Sequence, residues 1–516
     1  LILIIFLIVS IQILLLINNR QKTSFRYFIW NIQEVTIGRL IFISFISGLF
    51  MSSILNTTLS DNNKFKTISE SDDKRTDDND YSEKREDDEL FEVAPERDLR
   101  EPQPTISVNY RVIKNNGENE LKDRNQKINN SQLTSVDICE AYLKRIEKFD
   151  KIIKAWAYFD KKLFLEKAKE ADDYKKSGKP IGPLHGIPVA VKDIVGTIDM
   201  PTECGTTIRK GKSYSQNAEI IDLLHSAGAI VMGKTATSEL AYLGPSETSN
   251  PHDSTRTPGG SSSGSAAVVA SYMAPLSIGS QTGGSIIRPA SYCGVVGYKP
   301  SYGLISRNGV LRTSNLLDHI GMFARSVEDV ALLAKVLIKK DPYDPATVYF
   351  SAENILEETK KGPLFEPKFI FYKTDYWKIV DKKSREAFEY FIKSFKNIEV
   401  FDTPSYFKDI HKYHQIIHET DLANNFSLYY KKYKSKLSKY MQTAIAQGNK
   451  HSAKDYAEAI DFKKRSYESY QEVFEDYHGV LTPSSPGVAP KGLKSTGTAE
   501  FNKVWSYLGT PCISLP

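Results

Sequence analysis

The spacing of apolar residues divides the chain into three stretches. In the first, residues 1–55, LILIIFLIVSIQILLLI is apolar almost throughout and as a helix would extend ~25 Å, just enough to reach across a hydrocarbon core. A basic, aromatic stretch with Arg20, Lys22 and Arg26 follows, and then LIFISFISGLFM, which is short for a span and closer to a signal h-region or an interfacial helix. Both runs predict membrane attachment. The chain begins at Leu1, however, and Met51 offers an alternative start that would give a cytoplasmic protein. In residues 56–125 the apolar positions thin out and charge is dense (SDDKRTDDNDYSEKREDDE), so too little surface can be buried to offset the entropy of ordering, and a disordered tether is expected.

From residue 126 onward the pattern is that of a folded domain. Val136, Cys139, Leu143 and Ile146 recur at helical spacing behind a capping box of Thr134 and Asp137, predicting an amphipathic helix in LTSVDICEAYLKRIEKF. A second helix is expected in FLEKAKEADDYKKSG, stopped by Gly178 and Pro180, and IPVAVKDIV reads as a short buried strand interrupted by Lys192 and Asp193. The small, apolar run from Ser265 to Met273 predicts a buried helix. RSVEDVALLAKVLIK and SREAFEYFIKSFKN are amphipathic, and the Tyr/Lys-rich segments from Ile410 to Tyr477 predict further helices that cover a sheet or cap a substrate side. A tyrosine stripe at helical spacing belongs to a core, so no site is placed there.

Composition adds little. The 516 residues are 41% hydrophobic, with 68 basic and 63 acidic side chains interspersed, and no arginine-rich patch calls for nucleic acid. Cys139, Cys204, Cys293 and Cys512 are too far apart for a zinc motif or a disulfide scaffold, and free buried thiols are expected.

The chemistry concentrates between Thr257 and Pro289, TPGGSSSGSAAVVASYMAPLSIGSQTGGSIIRP, which holds two Gly-Gly-Ser steps. Paired glycines let successive N–H groups converge into a nest for negative charge, and a serine beside such a nest is what acyl transfer requires. A lone GGS is usually a flexible linker, but here the clusters flank a buried helix and run into the packable IIRPASYCGVVGYKP. A P-loop would need a Gly-Lys-Ser/Thr ending, which is absent. The GxSxG of Gly260, Ser262 and Gly264 lacks the preceding hydrophobic strand of a nucleophile elbow. The missing base is Lys192: as a strand-end lysine it would reach water or pair with Asp193, but buried it can lose its proton near neutrality.

PVAVKD around Lys192, GGSSSGSAA from Gly259 and GGSIIRPASYCGVVGYKPSYG from Gly283 together resemble the amidase signature family of serine hydrolases, from about Leu133 to the end. The resemblance implies an α/β fold with a large mixed, twisted β-sheet covered by helices on both faces. It makes Ser285 the nucleophile, Ser261 the bridging serine that follows a cis peptide bond, Lys192 the base, and the N–H groups of Thr282, Gly283, Gly284 and Ser285 the oxyanion hole. The implied function is hydrolysis of a small carboxylic acid amide, without metal or organic cofactor, by a stand-alone, malonamidase-like amidase. The nine histidines show no spacing that demands one.

Departures from the family pattern are GGSSSGS, with Ser263 and Ser265 in place of the commoner GGSSGG, and Gln281 where many members carry aspartate. Arg288 matches a position associated with a substrate carboxylate in malonamidase-like members; a structural ion pair is the alternative. The A subunit of a glutamine-dependent tRNA amidotransferase resembles the same motifs, and a catalytically inactive, membrane-tethered binding protein would keep the fold. Family members continue for several dozen residues beyond WSYLGTPCISLP, so the domain, 126–516, is expected to be truncated at its C-terminus. Association into a homo-oligomer is compatible with the sequence and left open.

Overall fold

The computed structural model describes residues 22–27, 30–36 and 133–516. In the first of two compact units, residues 1–92, strands β1 (Lys22–Tyr27) and β2 (Trp30–Thr36) pair antiparallel with Tyr27 opposite Trp30. The apolar runs at 1–17 and 40–51 and the charged segment 56–125 lie outside the described residues. The expectation of membrane attachment is corrected. Among the described residues no helix is long and apolar enough to cross a membrane, and Lys22–Tyr27 and Trp30–Thr36, within the basic, aromatic stretch, are extended strands paired antiparallel.

In the second unit, α1 (Ser135–Ile153) begins at the expected capping box, with the Thr134 and Asp137 side chains each accepting from the other's backbone N–H. Ile138, Cys139, Tyr142, Leu143 and Ile146 form its buried stripe. β3 (Trp156–Tyr158) and α2 (Lys161–Lys176) follow, the helix ending just before Gly178, which takes φ +72°. β4 (Pro188–Lys192), α3 (Glu219–Ser226) and β5 (Ile230–Thr235) form a parallel crossover unit, and α4 (Ser263–Ala270) leads into β6 (Leu276–Gln281). The predicted helix from Ser265 to Met273 thus starts two residues earlier and ends sooner, where Tyr272 turns into the left-handed region at φ 59°. α5 (Ile287–Cys293), β7 (Val296–Lys299), β8 (His319–Ala324) and α6 (Val327–Leu337) complete this half.

The main sheet has the order β12-β7-β8-β6-β4-β5-β3, parallel from β5 through β4 to β6 and antiparallel elsewhere. Every residue of β4, β5, β6 and β8 is buried, which is why these strands read as short apolar runs rather than alternating ones. β9 (Phe369–Lys373), α7 (Lys382–Ser394), β10 (Ile398–Asp402) and β11 (Gly479–Leu481) build a second, all-parallel sheet ordered β10-β9-β11. Between them in sequence, α8 (Phe407–Asn425) packs against α9 (Lys439–Gly448), α10 (Ala453–Gln471) and α11 (Glu500–Leu508), and β12 (Cys512–Ser514) closes the main sheet beside β7. Phe407, Ile410, Ile417, Trp505 and Tyr507 give this C-terminal part a core separate from that of the main sheet. The mixed α/β architecture expected from the resemblance is the one observed.

Candidate active site

The serine-rich run is a knot of hydrogen bonds. Ser262 Oγ donates to Ser280 O (3.1 Å), Ser263 Oγ to Gly259 O (2.8 Å), Ser265 Oγ to Ile278 O (2.9 Å) and Ser277 Oγ to Ser265 O (2.6 Å). Small hydroxyls let α4 lie close on β6 while answering carbonyls that the tight packing shields from water. This accounts for Ser263 and Ser265. Glycine is required at Gly264, where a Cβ would come within 2.2 Å of Ala155 O and 2.4 Å of Ala236 N.

Lys192, the last residue of β4, is completely buried and does not pair with Asp193. Its Nζ lies 2.7 Å from Ser261 Oγ and 2.9 Å from Ser280 Oγ. Burial is the main cause that brings its pKa down from 10.5 to about 7, with the charge of Asp318 acting in the opposite direction. Half of this amine is therefore neutral near pH 7, and a neutral amine can accept the Ser261 proton. The peptide bond between Gly260 and Ser261 is cis, as the resemblance implied.

Ser285, half-buried, closes the turn after β6. Gln281 Oε1 accepts from the N–H groups of Ile286 (2.8 Å) and Ile287 (3.0 Å), and Gly284 O accepts from Arg288 N (3.0 Å). Thr282 Oγ1 donates to Asp318 Oδ1 (2.6 Å), while the second carboxylate oxygen of Asp318 takes the N–H groups of Thr313 and Ser314. Among the described residues, none of the N–H groups of Gly283, Gly284 and Ser285 donates to the protein. They remain available to an oxyanion.

Arg288 is fully buried, but among the described residues its guanidinium has no carboxylate partner. Its Nη2 donates instead to Gly260 O (2.5 Å) and Thr496 Oγ1 (3.3 Å), tying the turn that carries Ser285 to the segment that carries Ser261. The ion-pair reading is thereby corrected: the guanidinium is partnered by a backbone carbonyl and a hydroxyl. Nε and Nη1 have no protein acceptor, and burial lowers the pKa.

Sequence reasoning misses Ser280, the second hydroxyl on Lys192. The paired stretch of β4 and β6 ends at Val191 and Ile278, so Lys192 and Ser280 meet beyond the ladder, where alternation no longer says which side chains face each other. It also misses His414 on α8 and Ser506 on α11, which touch the turn from far along the chain: His414 Nε2 lies 3.0 Å from Thr282 O and Ser506 Oγ 2.7 Å from Gly283 O. No group of three or more His, Cys, Asp or Glu side chains among the described residues is arranged to hold a metal ion.

The profile of the amidase family matches residues 137–514. Among curated relatives, the chain is 33% identical over 437 residues to the A subunit of the glutamyl-tRNA(Gln) amidotransferase of Sulfurihydrogenibium sp. (strain YO3AOP1), covering 77% of this chain and 90% of that one. Among solved structures it superposes on a crystal structure of an amidase with a TM-score of 0.67 and 26% identity, over 77% of this chain and 92% of the other. It superposes on the A subunit of the glutamyl-tRNA(Gln) amidotransferase of Thermotoga maritima with a TM-score of 0.61 and 26% identity, over 77% and 85%. The chain belongs to the amidase family, in its signature branch, and is an enzyme of carbon–nitrogen amide bonds.

Proposed function

We propose that the chain hydrolyses a carboxylic acid amide through Ser285, with Ser261 and Lys192 as its proton relay and an acyl-enzyme as intermediate. The observation that carries this reading is the 2.7 Å contact between Ser261 Oγ and a wholly buried Lys192 whose pKa lies at about 7. Neutral Lys192 takes the proton of Ser261, and Ser261 takes that of Ser285 as its oxygen bonds to the amide carbon. The negative charge that develops on the carbonyl oxygen meets the N–H groups of Thr282, Gly283, Gly284 and Ser285. The relay then runs backward: Ser261 gives a proton to the departing nitrogen, the C–N bond breaks, and water releases the acid from Ser285. A small cavity of about 10 Å³, lined by Ser280, Leu311, Arg312, Thr313 and Asp318, adjoins the relay and has room for about one water molecule. Arg288 supports a carboxylate-bearing substrate only through Nε and Nη1, since Nη2 is taken up by Gly260.

A second reading is favoured by the likeness to the A subunits of amidotransferases. In that case the amide is glutamine and the released ammonia is passed to a partner. Both readings share the Ser285 chemistry. Replacement Ser285→Ala should abolish turnover of every carboxamide in a panel together with labelling by a fluorophosphonate. Labelling that survives the replacement places the nucleophile elsewhere. Ammonia release from glutamine that depends on copurifying partner chains decides for the second reading, and turnover by the isolated chain for the first.

A further inference from the structure

We propose that His414 and Ser506 are positioning residues for the oxyanion hole, each gripping the carbonyl end of a peptide group whose N–H end is one of its donors. In a trans peptide the C=O of one residue and the N–H of the next are coplanar and point in opposite directions. His414 Nε2 lies 3.0 Å from Thr282 O, and that peptide carries the N–H of Gly283. Ser506 Oγ donates to Gly283 O at 2.7 Å, and that peptide carries the N–H of Gly284. Held by its oxygen, each peptide group presents its N–H away from α8 and α11.

The donors are well defined. A carbonyl only accepts, so Nε2 of His414 carries the hydrogen. Burial holds the pKa of this imidazole well below its ordinary value, so it stays neutral throughout the working range. Ser506 gives its proton to Gly283 O while its oxygen accepts from Gln281 Nε2 at 3.0 Å, and Gln281 Oε1 in turn takes the N–H groups of Ile286 and Ile287. An aspartate at position 281 could accept those two N–H groups but has no hydrogen for Ser506. Gln281 and Ser506 therefore work as a pair, and the departure at 281 has its counterpart on α11. Space around the turn fits the same picture: Ala499, the N-cap of α11, and Asn502, Lys503 and Ser506 on the helix lie against Gly283 and Gly284, where a Cβ at Gly284 would meet Asn502 at 3.1 Å. Hydrogen bonding to a peptide oxygen also polarises its N–H and makes it a better donor.

The inference rests on the amidase reading, and the experiment separates the two. Ser506→Ala and His414→Phe are compared with the wild type and with His414→Gln, whose amide can restore the donor. The readouts are kcat and KM on a carboxamide the wild type turns over, the pH profile, and the second-order rate of fluorophosphonate labelling, a reaction that also builds negative charge on an oxygen. The expected result is a fall of about 10-fold to 100-fold in kcat and in labelling rate, with KM within about twofold, the acid limb unmoved, and partial recovery in His414→Gln. Folded variants with unchanged kcat, or variants whose loss lies in KM or in a moved acid limb, overturn the positioning role. A wild type that neither turns over amides nor labels at Ser285 overturns the amidase reading itself.

Discussion

The main sheet buries a lysine on each of two adjacent strands, and their surroundings differ in one respect that decides their chemistry. Lys192 on β4 lies opposite Thr235, and Lys234 on β5 opposite Val191, so the pleat sends the two side chains to opposite faces. Lys234 Nζ donates to the carbonyl of Val195 and to the hydroxyls of Thr202 (2.9 Å) and Thr197 (3.4 Å), and burial brings its pKa down to about 8 against the charge of Asp193, which acts to raise it. Lys192 has only hydroxyls. A carbonyl or carboxylate can only accept, so it holds a lysine in the role of donor. A hydroxyl can accept from the ammonium and donate to the amine, so it serves both protonation states. Burial alone depresses both pKa values. The hydroxyls beside Lys234 give their own hydrogens to carbonyls, Thr202 to Val195 (3.3 Å) and Thr197 to Met200 (3.1 Å), so of the two lysines Lys192 is the one placed to exchange a proton with its neighbour.

The sharpest test of this contrast is Lys192→Met against Lys234→Met. The first should lower kcat/KM by at least about 10⁴-fold, because the relay loses its base. It should also stabilise the protein. The folded pKa of about 7 lies below the 10.5 of the free side chain, so below pH 7 both states carry the proton and the folded state bears the whole cost of the buried charge. Between pH 7 and 10.5 the unfolded state binds more protons, stability rises, and the cost disappears. Thermal unfolding should therefore show Lys192→Met more stable below pH 7, by up to about 5 kcal/mol, with the advantage vanishing as pH approaches 10.5. Lower stability at every pH would mean that Lys192 is a structural donor like Lys234. The second replacement takes one of two donors from Val195 O, leaving the Thr202 hydroxyl at 3.3 Å, and above pH 8, where Lys234 carries no buried charge to relieve, it should cost about 1 kcal/mol, while the variant keeps the wild-type pH profile of kcat/KM.

That profile is the next test. In the wild type kcat/KM should fall tenfold per pH unit below an acid limb near pH 7, where Lys192 becomes protonated, and the limb should sit at the same pH in Lys234→Met. A limb near pH 4–5 would assign the titration to a carboxyl group instead.

The contrast also explains how much of the molecule is legible in the chain. Lys192, Ser261 and Ser285 are legible because each sits in a local pattern: a lysine inside a fully apolar strand, and two GGS steps that glycine packing makes specific. The Thr134 and Asp137 cap is legible for the same reason, since both partners lie within one turn of helix. Nothing local marks Lys234 as the structural lysine, because its carbonyl partner is contributed by the loop at Val195. His414 and Ser506 reach the turn across 132 and 223 residues, and each sits in a helix whose pattern reads as ordinary core. Arg288 reads as a substrate or ion-pair residue because an arginine announces charge. Its main partner is the peptide oxygen of Gly260, which no side-chain pattern can announce.

Ser280 gives the smallest effect and the finest test of the hydroxyl argument. Its oxygen accepts an N–H from Lys192 at 2.9 Å, an interaction that favours the ammonium over the amine. Removing it in Ser280→Ala takes away one of the two oxygens that stabilise the charge, so the pKa of Lys192 should fall further and the acid limb should move to lower pH. A less basic amine is a weaker proton acceptor, and at pH 8 kcat should drop by about 3-fold to 10-fold. A limb that moves upward, or that stays in place while kcat falls, would show that Ser280 acts on the turn rather than on the amine, leaving Ser261 as the hydroxyl that alone sets its proton affinity.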